Sequence, residues 1–187
     1  MGGGGGVMIW ESRPWKKEIC RIASRLKKRM TQRRWVEASL YKLEHDVMIS
    51  AYSARKLLEA KKLTDIWEDA DFPVVSYVPS GTISSHFNWH QLERFFDLSG
   101  GKPELIRYRN LLNKIIHSYI FIPCFDINNG LYGFYCSSDK NRTNSLLFIK
   151  VEDYICFLHG VSKDDIISAQ FVWNDNKKDY DIKSSKL

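Results

Sequence analysis

The sequence predicts an α+β fold, in which N-terminal antiparallel helices, one of them long and central, precede a small antiparallel β-meander and a short C-terminal helix. Apolar residues recur at three- and four-residue intervals in the first third of the chain, which is typical of amphipathic helices. After His117 the pattern becomes strand-like, and Asn128-Asn129-Gly130 is a strong hairpin signal. With 44% apolar and 13% aromatic residues, the composition is that of a globular protein.

Two amphipathic helices are predicted at the start. The first covers residues 15 to about 30, and Pro14 suits the first turn of a helix. The second covers about residues 32–62, contains no Gly or Pro, and would form a rod of roughly 45 Å. The apolar residues at helical spacing are Ile19, Ile22, Ala23 and Leu26 in the first, and Val36, Leu40, Leu43, Val47, Ala51, Ala54 and Leu58 in the second.

The middle of the chain mixes element types. Residues 72–79 are expected to be extended and residues 80–82 to form a turn. Asn88 is a predicted N-cap for a short helix that a Gly-Gly pair ends. Pro103 is expected to open the next helix, which carries residues 107–119.

A meander and a short helix are predicted to complete the domain. In chain order we expect strands at 119–126, 131–136 and 146–151, a helix at about 152–158, a helical turn capped by Ser162, and a last strand at 170–173. One α+β domain would thus cover residues 9–175, with a helical part (14–117) and a meander part (118–175). Residues 1–8 are interpreted as a glycine linker and 176–187 as a polar tail.

Neither a membrane segment nor a metal site is expected. No apolar run approaches the ~20 residues that cross a bilayer, and the glycine-rich start does not resemble a signal peptide, so we expect a cytoplasmic protein without a membrane partner. The Glu44-His45-Asp46 run and the His86/His90 pair lack further ligands, and no phosphate loop or dinucleotide fingerprint is present. We therefore expect no metal and no cofactor. The wide spacing of the cysteines favours reduced, buried thiols at Cys20, Cys124, Cys136 and Cys156.

The positive charge of the chain is concentrated in one segment. Ten basic residues lie between Arg13 and Arg34 with the single acid Glu18, whereas the rest of the chain holds 18 basic and 21 acidic residues. This asymmetry favours a polyanionic partner, RNA or another nucleic acid. The alternative is a solvated helix face neutralised by acids elsewhere, such as Glu68. The predicted nucleic-acid-binding residues are Lys16, Lys17, Arg21, Arg25, Lys27, Lys28, Arg29, Arg33 and Arg34.

A second candidate site lies in the helix before the meander. At about 100° per residue, Asn113 and His117 share one face, with Asn110 three residues earlier and Arg109 beside it. An Arg, two amides and a His presented together could handle a phosphate. The alternative is a structural helix whose terminal His bonds backbone carbonyls. The predicted catalytic residues are Arg109, Asn110, Asn113 and His117.

This Arg-Asn…His helix resembles the signature of the HEPN superfamily, all-helical proteins that include RNA-cleaving toxins and defence nucleases. The resemblance covers about residues 15–120. Seven residues lie between Arg109 and His117, slightly more than the usual spacing, Asn113 stands where a closer Arg would be expected, and the meander is not part of the family's helical core. The resemblance implies a homodimer in which the motif meets its copy and cleaves RNA without metal, in a bacterial toxin or defence system.

Two hypotheses follow for function. In the first, a HEPN-like protein binds RNA through the basic helix and, if it is a ribonuclease, His117 takes the 2′-proton while Arg109 or Lys114 stabilises the phosphorane. Asn113 would orient the His ring or the phosphate. In the second, a non-catalytic adaptor docks the basic helix onto a nucleic acid or an acidic protein partner, and the Asn-x-x-x-His face is structural.

Overall fold

The computed structural model describes residues 9–80, 88, 90–141 and 144–185, and the predicted glycine linker lies outside these. The helices are α1 (Ser12–Arg29), α2 (Glu37–Glu59), α3 (Ile66–Asp69), α4 (Tyr108–Ile116) and α5 (Val151–Ser162). The strands are β1 (Asp71–Tyr77), β2 (Lys102–Arg107), β3 (Ser118–Phe125), β4 (Leu131–Ser138), β5 (Leu146–Lys150), β6 (Ser168–Asn174) and β7 (Asp179–Ser185).

A five-stranded antiparallel sheet organises the fold, in the order β2-β1-β5-β4-β3, and β6 and β7 form a separate hairpin. The α+β class is confirmed, and the predicted meander corresponds to β3, β4 and β5. Its first turn is the expected hairpin. Asn129 has a φ of 64°, and the Asp126 carboxylate accepts backbone N–H bonds from Asn128 and Gly130, both at 2.8 Å. Such an Asx turn stabilises a positive φ at Asn.

The helices cover one face of the sheet. α4 and α5 contact the strands, and α1 and α2 pack against α4 and α5. Every predicted core residue of α1 is buried, because its apolar stripe faces α2 and α5. In α2 the stripe is buried from Leu43 onward, but Val36 and Leu40 are exposed. The helix begins only at Glu37, so the first turn extends past the core.

The predicted role of Pro103 is wrong. Pro103 lies inside β2, opposite Val75 of β1, and the next helix begins five residues later at Tyr108. β2 is an edge strand of the sheet, where a residue without an N–H group is tolerated because one side of the strand needs no partner. A helix-opening Pro and an edge-strand Pro look the same in sequence.

The C-terminal region also differs from expectation. Ser162 does not cap a new helix: it ends α5, and its hydroxyl donates to the carbonyl of His159 at 3.0 Å. The segment interpreted as a polar tail contains β7, which pairs with β6 along its length. Ser184 fixes the base of this hairpin, since its N–H donates to the Asp65 carboxylate at 2.9 Å and its hydroxyl to the carbonyl of Leu63 at 3.1 Å.

Candidate nucleic-acid interface

The face of α1 that points away from the core is positively charged. Arg13, Lys17, Arg21 and Lys28 are exposed, with Ser24 between them. On a helical projection these residues lie within a sector of about 80°. The rise from Arg13 to Lys28 is about 22 Å. We call these four cations, Arg13, Lys17, Arg21 and Lys28, the cationic stripe.

Two of the predicted binding cations instead anchor α1. Lys16 is buried, and its ammonium donates to the carbonyl of Asp164 and lies 3.7 Å from the Asp165 carboxylate. Arg29 is also buried and donates to the carbonyl of Ser39 at 3.2 Å. Its guanidinium lies 5.9 Å from the ring centre of Trp35, within cation–π range. Both side chains are unavailable to an external phosphate.

Two further cations are engaged by internal acceptors. Arg25 donates to both carboxylate oxygens of Asp46, at 2.8–3.2 Å, and this hydrogen bonding is the main cause that raises the pKa of Arg25. Glu18 accepts from the same guanidinium at 3.1 Å. Arg33 donates to the carbonyl of Asn128 at 2.7 Å and so ties the segment after α1 to the β3–β4 turn.

The other predicted cations remain at the surface. Lys17, Lys27, Lys28 and Arg34 are exposed, and within the described part of the chain we find no hydrogen bond or ion pair that engages their charged groups. Arg21 is exposed and lies 3.4 Å from Glu18, an ion pair that solvent screens. The structure therefore separates the basic segment into anchoring cations and solvent-facing cations.

A cleft lies at the start of the cationic stripe. It has a volume of about 710 Å³ and separates the first turns of α1 from the end of α5. Arg13, Lys16, Lys17 and Lys163 line it together with Cys20 and Ser162, and Glu11 and Asp165 contribute two carboxylates. The cleft is thus polar and carries an excess of positive charge.

The second predicted site, in α4, is less compact than its sequence suggests. Leu111, Leu112 and Ile115 of this helix face the core. Arg109 and Asn110 are exposed, whereas Asn113 is half-buried and its Oδ1 is buried without a hydrogen-bond partner among the described residues.

His117 follows the last residue of α4 and is exposed. Its backbone N–H donates to the carbonyl of Asn113 at 3.0 Å, and no hydrogen bond of its ring is found in the parts of the chain that are described. Eight helical positions place Arg109 about 12 Å along the axis from His117 and about 80° around it. Asn113 lies one turn from each, so the fold brings Asn113 near His117 but holds Arg109 apart.

Neither a group of metal ligands nor a membrane-spanning helix is found in the described ranges. Between residues 9 and 185, leaving out 81–87, 89, 142 and 143, no three His, Cys, Asp or Glu side chains come together to hold a metal ion. In the same ranges no helix has both the length and the apolar character to span a bilayer.

Sequence reasoning missed the aromatic side chains of the β6–β7 hairpin. Phe171, Trp173 and Tyr180 are exposed on it. The apolar, β-rich residues 170–173 indicated a strand, but they gave no sign that the aromatics would stay outside the core, because the partner strand lay in the segment taken as a tail.

Neither family models, curated proteins nor solved structures yield a match to this chain.

Proposed function

We propose that this protein binds nucleic acid, with RNA as the first candidate, through the cationic stripe of α1. The observation that carries the proposal is the separation of the basic segment into two groups. Asp46 and the carbonyl groups of Asp164 and Ser39 engage the cations that face inward. Among the described residues, the charged groups of the cations on the outer face make no hydrogen bond or ion pair to another element, and these cations form a line along the helix.

The dimensions of the stripe suit a nucleic-acid backbone. One strand of a duplex carries a phosphate about every 3.4 Å of axis, so a line of about 22 Å lies alongside roughly six phosphates. Four cations can each neutralise one of them. Solubility alone does not require four cations in one sector of a helix that holds a single acid, Glu18.

Charge reversal on the stripe tests this proposal. We expect Lys17→Glu combined with Lys28→Glu to weaken binding of a labelled mixed-sequence RNA at least tenfold, measured by fluorescence anisotropy at low salt. Lys102→Glu combined with Lys140→Glu is the matched control, because it makes the same change in net charge at two exposed lysines that lie outside α1. Equal loss of RNA affinity in the two variants, or no loss in either, would show that the cationic stripe is not part of the binding surface.

Metal-independent RNA cleavage is the second candidate function. It is favoured by the exposure of Arg109, Asn110 and His117, none of which is engaged by an ion pair within the described residues. Because one chain holds Arg109 and His117 apart, a complete site would need the same residues of a second copy, as the HEPN resemblance implies. Such a protein would be a homodimer acting in a bacterial toxin or defence system.

The test of cleavage is incubation of labelled RNA in EDTA. Loss of cleavage in His117→Ala, with cleavage retained in His45→Ala, would support a catalytic His117. His45 is a suitable control because it is also an exposed histidine but lies in α2. Sedimentation of the wild type would show whether the active form is a dimer. RNA binding without cleavage would support the hypothesis of a non-catalytic adaptor. If the protein binds no RNA, an acidic protein becomes the expected partner of that adaptor.

A further inference from the structure

The β6–β7 hairpin presents an aromatic face to solvent. Phe171 and Trp173 of β6 share this face with their register partners Ile182 and Tyr180 of β7, and Ala169 lies on the same face opposite Ser184. Phe171 is 62% exposed, Trp173 51% and Tyr180 54%. An exposed group of large aromatic rings on a small hairpin is a mark of an interaction surface.

These aromatics do not hold the hairpin in place. Its base is fixed by polar bonds of Ser184 to Asp65 and Leu63. Near its tip, Trp173 packs edge-on against Tyr180 with ring centres 5.1 Å apart, and its indole N–H donates to Asp175 at 2.8 Å. The Trp173 ring is therefore held in one orientation without being buried.

The aromatic face and the cationic stripe border continuous clefts. Ala169, Phe171 and Ile182 line a cleft of about 390 Å³ with Lys61 and Lys62 at the end of α2. That cleft shares Ser12, Lys16 and Asp165 with the polar cleft at the start of the stripe. Together the two clefts are lined by six lysine and arginine side chains and two carboxylates. Lys16 lies 3.7 Å from one of these carboxylates, Asp165, and balances it.

We propose that this groove binds a single-stranded nucleic acid. Bases would stack on Phe171, Trp173 and Tyr180, while Lys62 and the first cations of the stripe, Arg13 and Lys17, contact the phosphates. Aromatic platforms beside a positively charged groove are how proteins bind single strands without sequence preference. A duplex cannot use the aromatic face, because its base faces are already stacked inside the helix. This inference rests on the proposed function and specifies its ligand.

The test compares a single-stranded 12-nucleotide oligouridine with a duplex RNA of the same length. We expect Phe171→Ala combined with Trp173→Ala to weaken single-strand binding at least about fivefold and to leave duplex binding unchanged. A loss of about fivefold is the smallest effect expected when the stacking of one base on an aromatic ring is lost. Val172→Ala is the matched control, since Val172 is also exposed but lies on the opposite face of β6.

A second measurement leaves the hairpin intact. Oligouridine should quench part of the tryptophan fluorescence of the wild type, and Trp173→Phe should lose that part of the quenching. Unchanged single-strand affinity in the double variant, or quenching that persists in Trp173→Phe, would contradict the proposal that the groove binds a single strand. If the variants instead shift the protein from dimer to monomer in sedimentation, the aromatic face binds a second copy and the proposal is wrong.

The outcome also separates this inference from the proposed function. Wild-type protein that binds neither oligouridine nor duplex would contradict the proposed function itself. A different result is that the wild type binds both ligands, that charge reversal at Lys17 and Lys28 abolishes this binding, and that the aromatic variants leave it unchanged. That result would support binding through the cationic stripe and contradict single-strand binding in the groove.

Discussion

Replacing Asp46 with Asn should destabilise the protein markedly. Asp46 is buried in α2, accepts hydrogen bonds from Arg25 at 2.8–3.2 Å and lies 3.7 Å from a guanidinium nitrogen of Arg29. Asn has nearly the same volume but no charge. Removing one partner of a buried ion pair costs about 3–5 kcal/mol, because the other charge stays buried.

The two arginines differ in how far they can recover. The Arg25 side chain is 43% exposed and can turn toward water, whereas the Arg29 side chain is only 10% exposed. We therefore expect a loss of about 2–3 kcal/mol in the free energy of unfolding, below the full cost of a buried pair. For a protein of this size each kcal/mol corresponds to roughly 2–4 °C, so Tm should fall by about 4–12 °C.

Thermal and urea denaturation followed by circular dichroism measure this loss. Glu18→Gln is the control: it removes the other carboxylate that Arg25 contacts, but at the surface, where an ion pair contributes about 0–1 kcal/mol. A fall in Tm of less than about 2 °C for Asp46→Asn would refute the reasoning. Because Arg25 is released rather than removed, RNA affinity of the folded variant should not fall.

Three further predictions concern the sheet and its thiols. Gly133→Ala should destabilise by about 1–3 kcal/mol in urea denaturation, because the new Cβ would lie 2.5 Å from the carbonyl oxygen of Ile149. Cys136 is buried, and burial raises the pKa of its thiol to about 12, so Ellman's reagent should label the exposed Cys156 and spare Cys136 until the protein unfolds. Burial also raises the pKa of Tyr135 from 10.0 to about 12. The contribution of Tyr135 to the free energy of unfolding is therefore present below pH 10 and lost between pH 10 and 12. Tyr135→Phe should flatten that part of the stability–pH profile.

The helices and the meander could be predicted because their signals are local. Periodic burial of Ile19, Ile22 and Leu26 defines α1, and Asn129 with Gly130 defines the β3–β4 turn. β2 could not be predicted, because Pro103 is compatible with a helix start and with an edge strand, and only pairing with β1 decides between them. β7 was not predicted because its few apolar residues alternate with charged ones, so its strand conformation depends on pairing with β6.

The candidate interface was predicted as a segment but not as a surface. Which cations stay free depends on acceptors far along the chain, such as Asp164, which is 148 residues from Lys16. The sequence does hold a partial signal. Lys16 and Arg29 fall near the apolar side of the α1 projection, whereas Lys17 and Lys28 fall opposite it. The partner of each buried cation can be identified only in the folded chain.

The salt dependence of RNA binding tests the central proposal most directly. Four phosphate contacts on a single strand predict a slope of log K against log salt near −2.8, which is about a 50-fold loss of affinity between 50 and 200 mM salt. The Lys17→Glu, Lys28→Glu protein should show a slope nearer −1.4 and about a sevenfold loss. Equal slopes in the two proteins, or wild-type affinity that does not change with salt, would contradict binding through the stripe.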